Sequence, residues 1–226
     1  MNWTPLALSL EIATIAMLVS LVLGTALALL LTWKKLPVPD LFHALVQTPL
    51  VLPPTVLGFY LLTLLGPHSL IGRAYHAITG NDIVFTFGAA VIAATIGSLP
   101  LVIGAVRVGL DAIDPNLTAA ARVLGASKWR VLRTITLPLA APALAAGAML
   151  GFARALGDYG MTQMIASVQF DGIGISKGTP ASIYVIQEMV ALREESARNM
   201  ALATTIVGLT LLVIASRLTR RLHARR

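Results

Sequence analysis

Two charged side chains lie four residues apart inside a long apolar stretch of the sequence. Arg154 and Asp158 would share one face of a helix there, at a spacing where opposite charges pair. Charges at membrane depth are costly and usually face the protein interior or a water-filled path. The simpler interpretation is an ion pair that neutralises both groups. The alternative is a guanidinium that attracts a passing anion weakly enough to release it, with a hinge at the flanking Gly157 and Gly160.

Three prolines interrupt an earlier apolar stretch. Pro49, Pro53 and Pro54 each lack a backbone N–H and clash with the preceding helical turn. In lipid, the carbonyl groups that they free need protein or water partners. Pro53 and Pro54 therefore predict a bend that lines a pore, with a kink used only for packing as the alternative. Pro100, in the next apolar stretch, is open to both interpretations.

The composition indicates which kind of element must hold these residues. The chain has 226 residues, of which 57% are hydrophobic and 12% are charged, and its mean hydropathy is +0.82. Soluble domains carry about 25% charged residues, so this is a membrane-protein composition. The formal net charge of +7 would suggest nucleic acid in a soluble protein. Here the cations cluster at the ends of apolar stretches, which indicates membrane topology, so we expect no nucleic-acid partner.

Apolar stretches long enough to cross a bilayer predict an all-α membrane protein. A spanning helix needs about 20 mainly apolar residues. About five transmembrane helices are predicted, at 6–33, 44–65, 84–106, 139–157 and 200–214. The first stretch is longer than the apolar part of a signal peptide, so we expect it to be retained.

The cations between these stretches predict the orientation of the chain. Short cytoplasmic loops carry an excess of lysine and arginine. The basic groups at 34–35, 107–133 and 217–226 fall on one side if the N-terminus is outside and the C-terminus inside. We therefore expect a multi-pass protein of the cell inner (plasma) membrane whose segment 114–138 is cytoplasmic. The basic C-terminal run would touch anionic membrane lipid.

On the outer side, the sequence predicts a surface helix over 180–198 that leads into the last span. Thr179 is the expected N-cap and Pro180 the expected first helical residue. The apolar side of this helix is marked by Ile183, Ile186, Val190 and Ala197.

The first half of the cytoplasmic segment predicts a short helix that ends at a glycine. Asp114 supplies an acceptor at the N-cap, and Pro115 suits the first helical position. Gly125 suits the left-handed position just after the helix. An i, i+3, i+4, i+7 pattern gives one narrow apolar face, made of Leu117, Ala120, Ala121 and Leu124.

The second half predicts another short helix, capped by Ser127 and carrying Lys128 and Arg130, with re-entry into the membrane at Leu137 and Pro138. A helix of about ten residues is marginal alone in water. Such a segment either packs on its own bundle or fits a groove in a cytoplasmic partner.

Residues 119–138 resemble the EAA loop of bacterial ABC importer permeases, written E-A-A-x3-G-x9-I-x-L-P. The glycine, isoleucine, leucine and proline are in register, at Gly125, Ile135, Leu137 and Pro138. Ala119 replaces the usual glutamate, which removes one expected polar contact but not the docking helix. The resemblance implies that the loop couples the permease to an ATP-binding subunit. The implied coupling residues are Ala119, Ala120, Ala121, Arg122, Leu124, Gly125, Lys128 and Arg130.

Other stretches resemble the molybdate-type oxyanion permeases. "PLVLPPTVLGFYLL" at 49–62 is similar to P-L-V-L-P-P-x-V-x-G, and "GFARALGDYG" at 151–160 to F-A-R-x-L-G-E-F-G. "GPHSLIGR" at 66–73 fits that family's outer loop. Asp158 stands where the family has glutamate. The loop 167–180 keeps only the final Thr-Pro of the usual pattern, which implies a divergent partner or ligand if that loop contacts the binding protein.

These resemblances imply a single ABC transporter transmembrane domain over 1–226, with a type I importer (MetI-like) bundle and an EAA-type coupling loop at 114–138. The implied function is import of molybdate, with sulfate or tungstate as alternatives of the same class. The implied partners are two ATP-binding cassette subunits, a second copy of the chain forming a homodimer, and a periplasmic or extracellular oxyanion-binding protein.

The sequence offers little for catalysis by the chain itself. It contains no GxxxxGK[ST] phosphate loop, so ATP hydrolysis is expected in a partner subunit. It contains no cysteine, and its four histidines lack metal-ligand spacing, so we expect no metal or cofactor. A membrane-embedded enzyme would have only Glu11, Arg154, Asp158 and scattered hydroxyls within its spans. A stand-alone channel, the third alternative, would not need a docking segment.

Overall fold

The computed structural model describes residues 2–33, 39–166 and 178–224. Regular structure in these ranges is almost entirely helical, which confirms the predicted all-α class. The helices are α1 Thr4–Trp33, α2 Pro39–Val51, α3 Pro54–Leu65, α4 Leu70–Thr79, α5 Phe87–Asp111, α6 Pro115–Val123, α7 Lys128–Val131, α8 Leu137–Leu156, α9 Gly160–Ile165, α10 Ala181–Val190 and α11 Glu194–Ala224. A π-helical turn, Leu132–Thr136, joins α7 to α8.

Four of the five predicted spans are continuous helical segments that are long and apolar enough to cross a membrane. They are Thr4–Thr32, Phe87–Asp111, Lys128–Leu156 and Glu194–Arg217. The second predicted span is instead divided into Ala44–Val51 and Pro54–Leu65, whose axes differ by 116°. Counting this bent pair as one span gives five.

The division between α2 and α3 follows from two consecutive prolines. A residue that precedes proline is pushed out of the helical region, and both Leu52 and Pro53 precede one. Pro53 accordingly has an extended backbone (φ −55°, ψ 136°), and Pro54 begins α3. Helices of 13 and 12 residues are each about 20 Å long or less. Neither alone crosses a hydrocarbon layer of about 30 Å.

The centre of the bundle is α5, which packs between α1 and α8. Of its most apolar window 61% is buried, against 22% for α1 and for the span that contains α8. Val102 of α5 is fully buried. A Cβ added at Gly24 of α1 or at Gly151 of α8 would lie 2.8 or 2.9 Å from a methyl group of Val102. Small residues at these two crossings let the three backbones approach closely.

The fourth span begins earlier than the sequence predicts. A separate short helix after Ser127 and membrane re-entry at Leu137 are expected, whereas the chain is helical without interruption over Lys128–Leu156. Pro138 has no N–H for the carbonyl four residues earlier, and its ring would clash with that carbonyl. The widened π turn at Leu132–Thr136 absorbs this defect without ending the helix.

The prediction of a single outer helix over 180–198 is wrong in its extent. Pro180 is the N-cap rather than the first helical residue, and α10 ends at Val190. Leu192 has a left-handed backbone (φ 58°), which breaks the helix before α11 starts at Glu194. Residues 194–198 therefore belong to the last span. Val190, expected on the apolar side, is 79% exposed, whereas Ile183 and Ala197 are buried.

Candidate functional site

A cleft of about 600 Å³ opens at the break between α2 and α3. The end of α2 and the first turn of α3 form one wall, and the junction of α8 with α9 forms the other. Five predicted pathway residues line this cleft together: Pro54, Arg154, Gly157, Asp158 and Gly160. The sixth, Pro53, caps the start of α3 and does not line it. Irregular backbone at membrane depth is tolerated where it borders such a cavity.

Arg154 and Asp158 form the ion pair that their spacing predicts. Arg154 Nη1 donates to Asp158 Oδ1 across 2.9 Å. The pair joins the end of α8 to the chain that enters α9. At this depth each charge would be costly without the other.

The other oxygen of the Asp158 carboxylate holds the start of α9. Oδ2 accepts a hydrogen bond of 3.0 Å from the Thr162 backbone N–H and one of 2.8 Å from its hydroxyl. An acceptor placed here satisfies a backbone donor that the first turn of a helix leaves unpaired. Thr162 was missed by the sequence analysis, although a hydroxyl four residues after a buried acid is a usable signal.

The two members of the ion pair differ in exposure. The Asp158 side chain is 1% exposed and that of Arg154 is 23% exposed. The negative charge is therefore enclosed by three hydrogen bonds, whereas part of the guanidinium faces the cleft. The first turn of α3, with its unpaired backbone N–H groups and positive dipole end, borders the same space. Arg154 and the start of α3 thus offer hydrogen-bond donors to a solute in the cleft, which suits a weakly held anion.

Gly160 allows α9 and α3 to touch. A Cβ at Gly160 would lie 2.9 Å from Pro54 Cβ and 3.1 Å from the Thr55 backbone nitrogen. On the next turn of α3, a Cβ at Gly58 would lie 3.0 Å from Met161 Cα. The close approach of the two helices fixes the width of the cleft at this end.

Hydrogen bonds of two serines hold the start of α10, one to the cleft and one to α1. The Ser182 hydroxyl donates to the backbone carbonyl of Asp158 across 2.9 Å. The backbone N–H of Ala181 donates to the Ser9 hydroxyl of α1 across 2.8 Å, at a buried position. Nothing in the sequence indicates these contacts, because 24 and 172 residues separate the partners.

The predicted coupling segment has the helix caps and the glycine conformation that the sequence predicts. Asp114 Oδ1 accepts from the Asn116 N–H across 2.9 Å, and Pro115 begins α6. Gly125 follows with a left-handed backbone at φ 82°. The Ser127 hydroxyl then accepts from the Arg130 N–H across 3.2 Å.

The surface of α6 is turned away from the bundle, since none of its residues is buried. Val123 and Leu124 are 88% and 87% exposed, and Leu117 is 49% exposed. Trp129 is 60% exposed, and the Arg133 guanidinium lies 4.7 Å from its ring centroid. Of the eight predicted coupling residues, only Ala121 is half-buried. An apolar face left this open counts against packing on the chain's own bundle. Val123 and Trp129 were missed by the sequence analysis.

Comparison with known proteins defines the class. A family model described as "Binding-protein-dependent transport system inner membrane component" matches residues 20–226. The chain belongs to this family. It is thus a multi-pass inner-membrane permease, the non-catalytic membrane component of an ABC transporter. A permease of this class implies an ATPase partner and a periplasmic binding-protein partner.

Similar proteins point to a narrower group. The molybdenum transport system permease protein ModB of Haemophilus influenzae is 36% identical over 99% of this chain and 96% of that protein. ModB of Escherichia coli strain K12 is 35% identical over 94% of this chain and 91% of that protein. Among solved structures, the inward-facing MetNI methionine ABC transporter matches with a TM-score of 0.69 at 18% identity, covering 98% of this chain and 99% of that chain. The last likeness shows a shared MetI-like fold.

Proposed function

We propose that this chain is the permease of a molybdate importer. The observation that carries the proposal is its similarity, over 99% of its length, to a permease described as a molybdenum transport protein. Molybdate is a tetrahedral dianion, and the cleft offers it Arg154 and the start of α3 while Asp158 stays enclosed. Tungstate has the same charge and shape and is the first alternative, followed by the smaller sulfate.

In this proposal, Arg154 attracts the anion but does not trap it. One of its nitrogens donates to Asp158 Oδ1 across 2.9 Å. The opposite charges of the two side chains cancel, so the pair has no net charge. A fully free guanidinium in a low-dielectric cleft would bind a dianion tightly and slow its release. Neutralisation by a buried acid leaves hydrogen-bond donors with a weak net field, which suits passage.

We assign to residues 114–138 the role of coupling the permease to the ATPase, within a single transmembrane domain over 1–226. α6 would insert its exposed apolar end, at Val123 and Leu124, into a groove of an ATP-binding subunit. One exposed cation, Arg122, Lys128 or Arg130, would pair with an acid of that subunit, in place of the polar interaction that Ala119 is unable to make. Because α7 continues into α8 as one helix, its motion would reach Arg154 at the other end of that span.

The complete transporter would contain two copies of this chain and two ATPase subunits, with the pathway on the two-fold axis. An oxyanion-binding protein would deliver the ion on the side of α10, if the N-terminus lies outside and the C-terminus inside. ATP-driven closure of the ATPases would then switch the bundle between inward and outward access. The divergent part of the loop at 167–177 lies outside the described residues.

The substrate is tested with the purified complex in liposomes together with its binding protein. ATPase activity is measured with molybdate, tungstate, sulfate and no anion, at matched concentrations. Stimulation by molybdate supports the proposal. Stimulation of the ATPase by sulfate but not by molybdate would overturn the assignment of molybdate as the substrate. Uptake of molybdate without any ATPase subunit would instead indicate a stand-alone channel.

A further inference from the structure

A second cavity, of about 360 Å³, lies at the other end of the long span that holds Arg154. It is partly open and is bordered by the end of α1, by α6, by α7 and by the π turn. Its lining residues are Thr32, Thr118, Arg122, Lys128, Val131 and Thr136. The cavity is therefore separate from the cleft and lies where the coupling segment meets the membrane-spanning helices.

The charge of this cavity has one sign. Among the described residues that line it, Arg122 and Lys128 are the only charged ones, and none is a carboxylate. Neither cation has an ion-pair partner within the ranges that the structure describes. Two exposed cations that line one partly open cavity attract an anion.

Thr136 supplies an unusual third group. Thr136 lines the cavity and is only 6% exposed. Its hydroxyl has no hydrogen-bond partner in the described parts of the chain. Threonines in helices commonly donate to a backbone carbonyl one turn earlier. Thr134 does so, to Arg130 across 2.7 Å. The Thr136 hydroxyl is not among the fully buried atoms that lack a partner, so it remains accessible from the cavity and can donate to a ligand there.

The other two hydroxyls are already occupied as donors. Thr32 donates to the carbonyl of Ala28 across 3.0 Å, and Thr118 donates to that of Pro115 across 2.9 Å. The donors left for a ligand are therefore the Arg122 guanidinium, the Lys128 ammonium and the Thr136 hydroxyl. Three donors around one space fit a tetrahedral oxyanion such as a phosphate group.

We propose that this cavity binds a phosphate group through Arg122, Lys128 and Thr136. The group comes either from the headgroup of an anionic phospholipid or from inorganic phosphate. Basic pockets between membrane helices on the cytoplasmic side commonly hold lipid headgroups. This cavity lies where the segment 114–138 meets the end of α1. A bound phosphate would brace α6 and α7 against the end of α1. The inference goes beyond the transport role and does not depend on which ion crosses the membrane.

The test compares lipid and inorganic phosphate on the intact transporter. Native mass spectrometry measures how much phosphatidylglycerol the complex retains after exchange into detergent that contains phosphatidylglycerol and phosphatidylcholine. Equilibrium binding of radiolabelled inorganic phosphate provides the second arm. The variants are Thr136→Val, the pair Arg122→Gln with Lys128→Gln, and Thr136→Ser. Arg133→Gln is the matched control, because Arg133 carries the same charge on the π turn but does not line the cavity.

The expected result is about tenfold weaker binding of one ligand in Thr136→Val and in the double variant, with wild-type binding in Thr136→Ser and Arg133→Gln. Loss confined to phosphatidylglycerol assigns the site to lipid, and loss confined to inorganic phosphate assigns it to the free ion. Equal binding of both ligands in all variants would overturn the proposal. So would an equal loss in Arg133→Gln, which would reveal only diffuse attraction. The double variant changes exposed side chains, so it gives an answer even if Thr136→Val does not assemble.

Discussion

The Ser182 hydroxyl donates a 2.9 Å hydrogen bond to the backbone carbonyl of Asp158. The same aspartate holds Arg154 with one carboxylate oxygen and Thr162 with the other. Asp158 thereby joins the start of α10, the end of α8 and the start of α9. A displacement of α10 therefore acts on the residue that neutralises the guanidinium of the cleft.

Replacing Ser182 with alanine removes that link and leaves the ion pair intact. We expect stability to fall by only about 1 kcal/mol, because a single neutral hydrogen bond is removed. Stimulation of the ATPase by the binding protein should fall more than basal ATPase activity. Ser182→Thr, which keeps the hydroxyl, serves as the control. Unchanged stimulation of the ATPase by the binding protein in Ser182→Ala would show that this hydrogen bond does not transmit movement of α10 to the cleft.

Asp158→Asn leaves the shape of the side chain but removes its charge. Arg154 then stays three-quarters buried without a counter-charge. We expect a loss of about 3 kcal/mol in the free energy of unfolding, as for other broken buried pairs. Thermal unfolding of the purified permease in detergent measures it, with Asp111→Asn, at an exposed position, as the control. A melting temperature equal to that of the control would mean that the pair is not stabilising.

Gly160→Ala should damage the contact between α9 and α3. The new Cβ would lie 2.9 Å from Pro54 Cβ and 3.1 Å from the Thr55 nitrogen, and backbone cannot move aside as a flexible side chain can. Overpacking of this kind costs about 1–3 kcal/mol. The matched control is Gly104→Ala in α5, where nothing in the described chain lies within 4 Å of the added carbon. The control should be neutral or slightly stabilising, so the unfolding temperature should fall in Gly160→Ala but not in Gly104→Ala.

Gly125→Val tests the joint between α6 and α7. The glycine is left-handed at φ 82°, with no atom of the described residues within 4 Å of an added Cβ, so the strain is in the backbone and not in a clash. A β-branched residue is disfavoured there by about 1–2 kcal/mol, and α6 should lose its orientation. We expect normal membrane insertion but loss of substrate-stimulated ATPase activity. Gly125→Asn, which tolerates this conformation better, should keep more of the coupling. Normal uptake by Gly125→Val would count against a coupling role.

Leu124→Glu places a charge on the exposed apolar end of α6. If this end enters a groove of the ATPase, burying the glutamate there is costly, and copurification of the ATPase should fall at least about tenfold. Val190→Glu is the control, because that side chain is 79% exposed on α10, on the opposite side in the predicted topology. Equal ATPase recovery from both variants would place the docking surface elsewhere.

Local chemistry was sufficient for much of this protein. Spans follow from the length of apolar stretches, and helix starts follow from caps such as Asp114 and Ser127, whose partners lie two or three residues away. The left-handed turn at Gly125 and the pairing of Arg154 with Asp158 depend on spacing along the chain alone. The type of protein was predicted from the resemblance of the stretches at 49–62, 119–138 and 151–160 to a known permease family.

Packing between distant segments decided the rest. Two consecutive prolines predict a break after Leu52, but the 116° turn there depends on what α3 meets, and its partner is α9 through Gly160. The hydrogen bond from Ser182 to Asp158 and the cavity around Thr136 join residues that no periodicity connects. The left-handed Leu192 divides what the sequence presents as one helix. A sequence specifies local conformation through interactions between neighbouring residues. These features instead depend on contacts between segments that are distant in sequence, which only the packed structure defines.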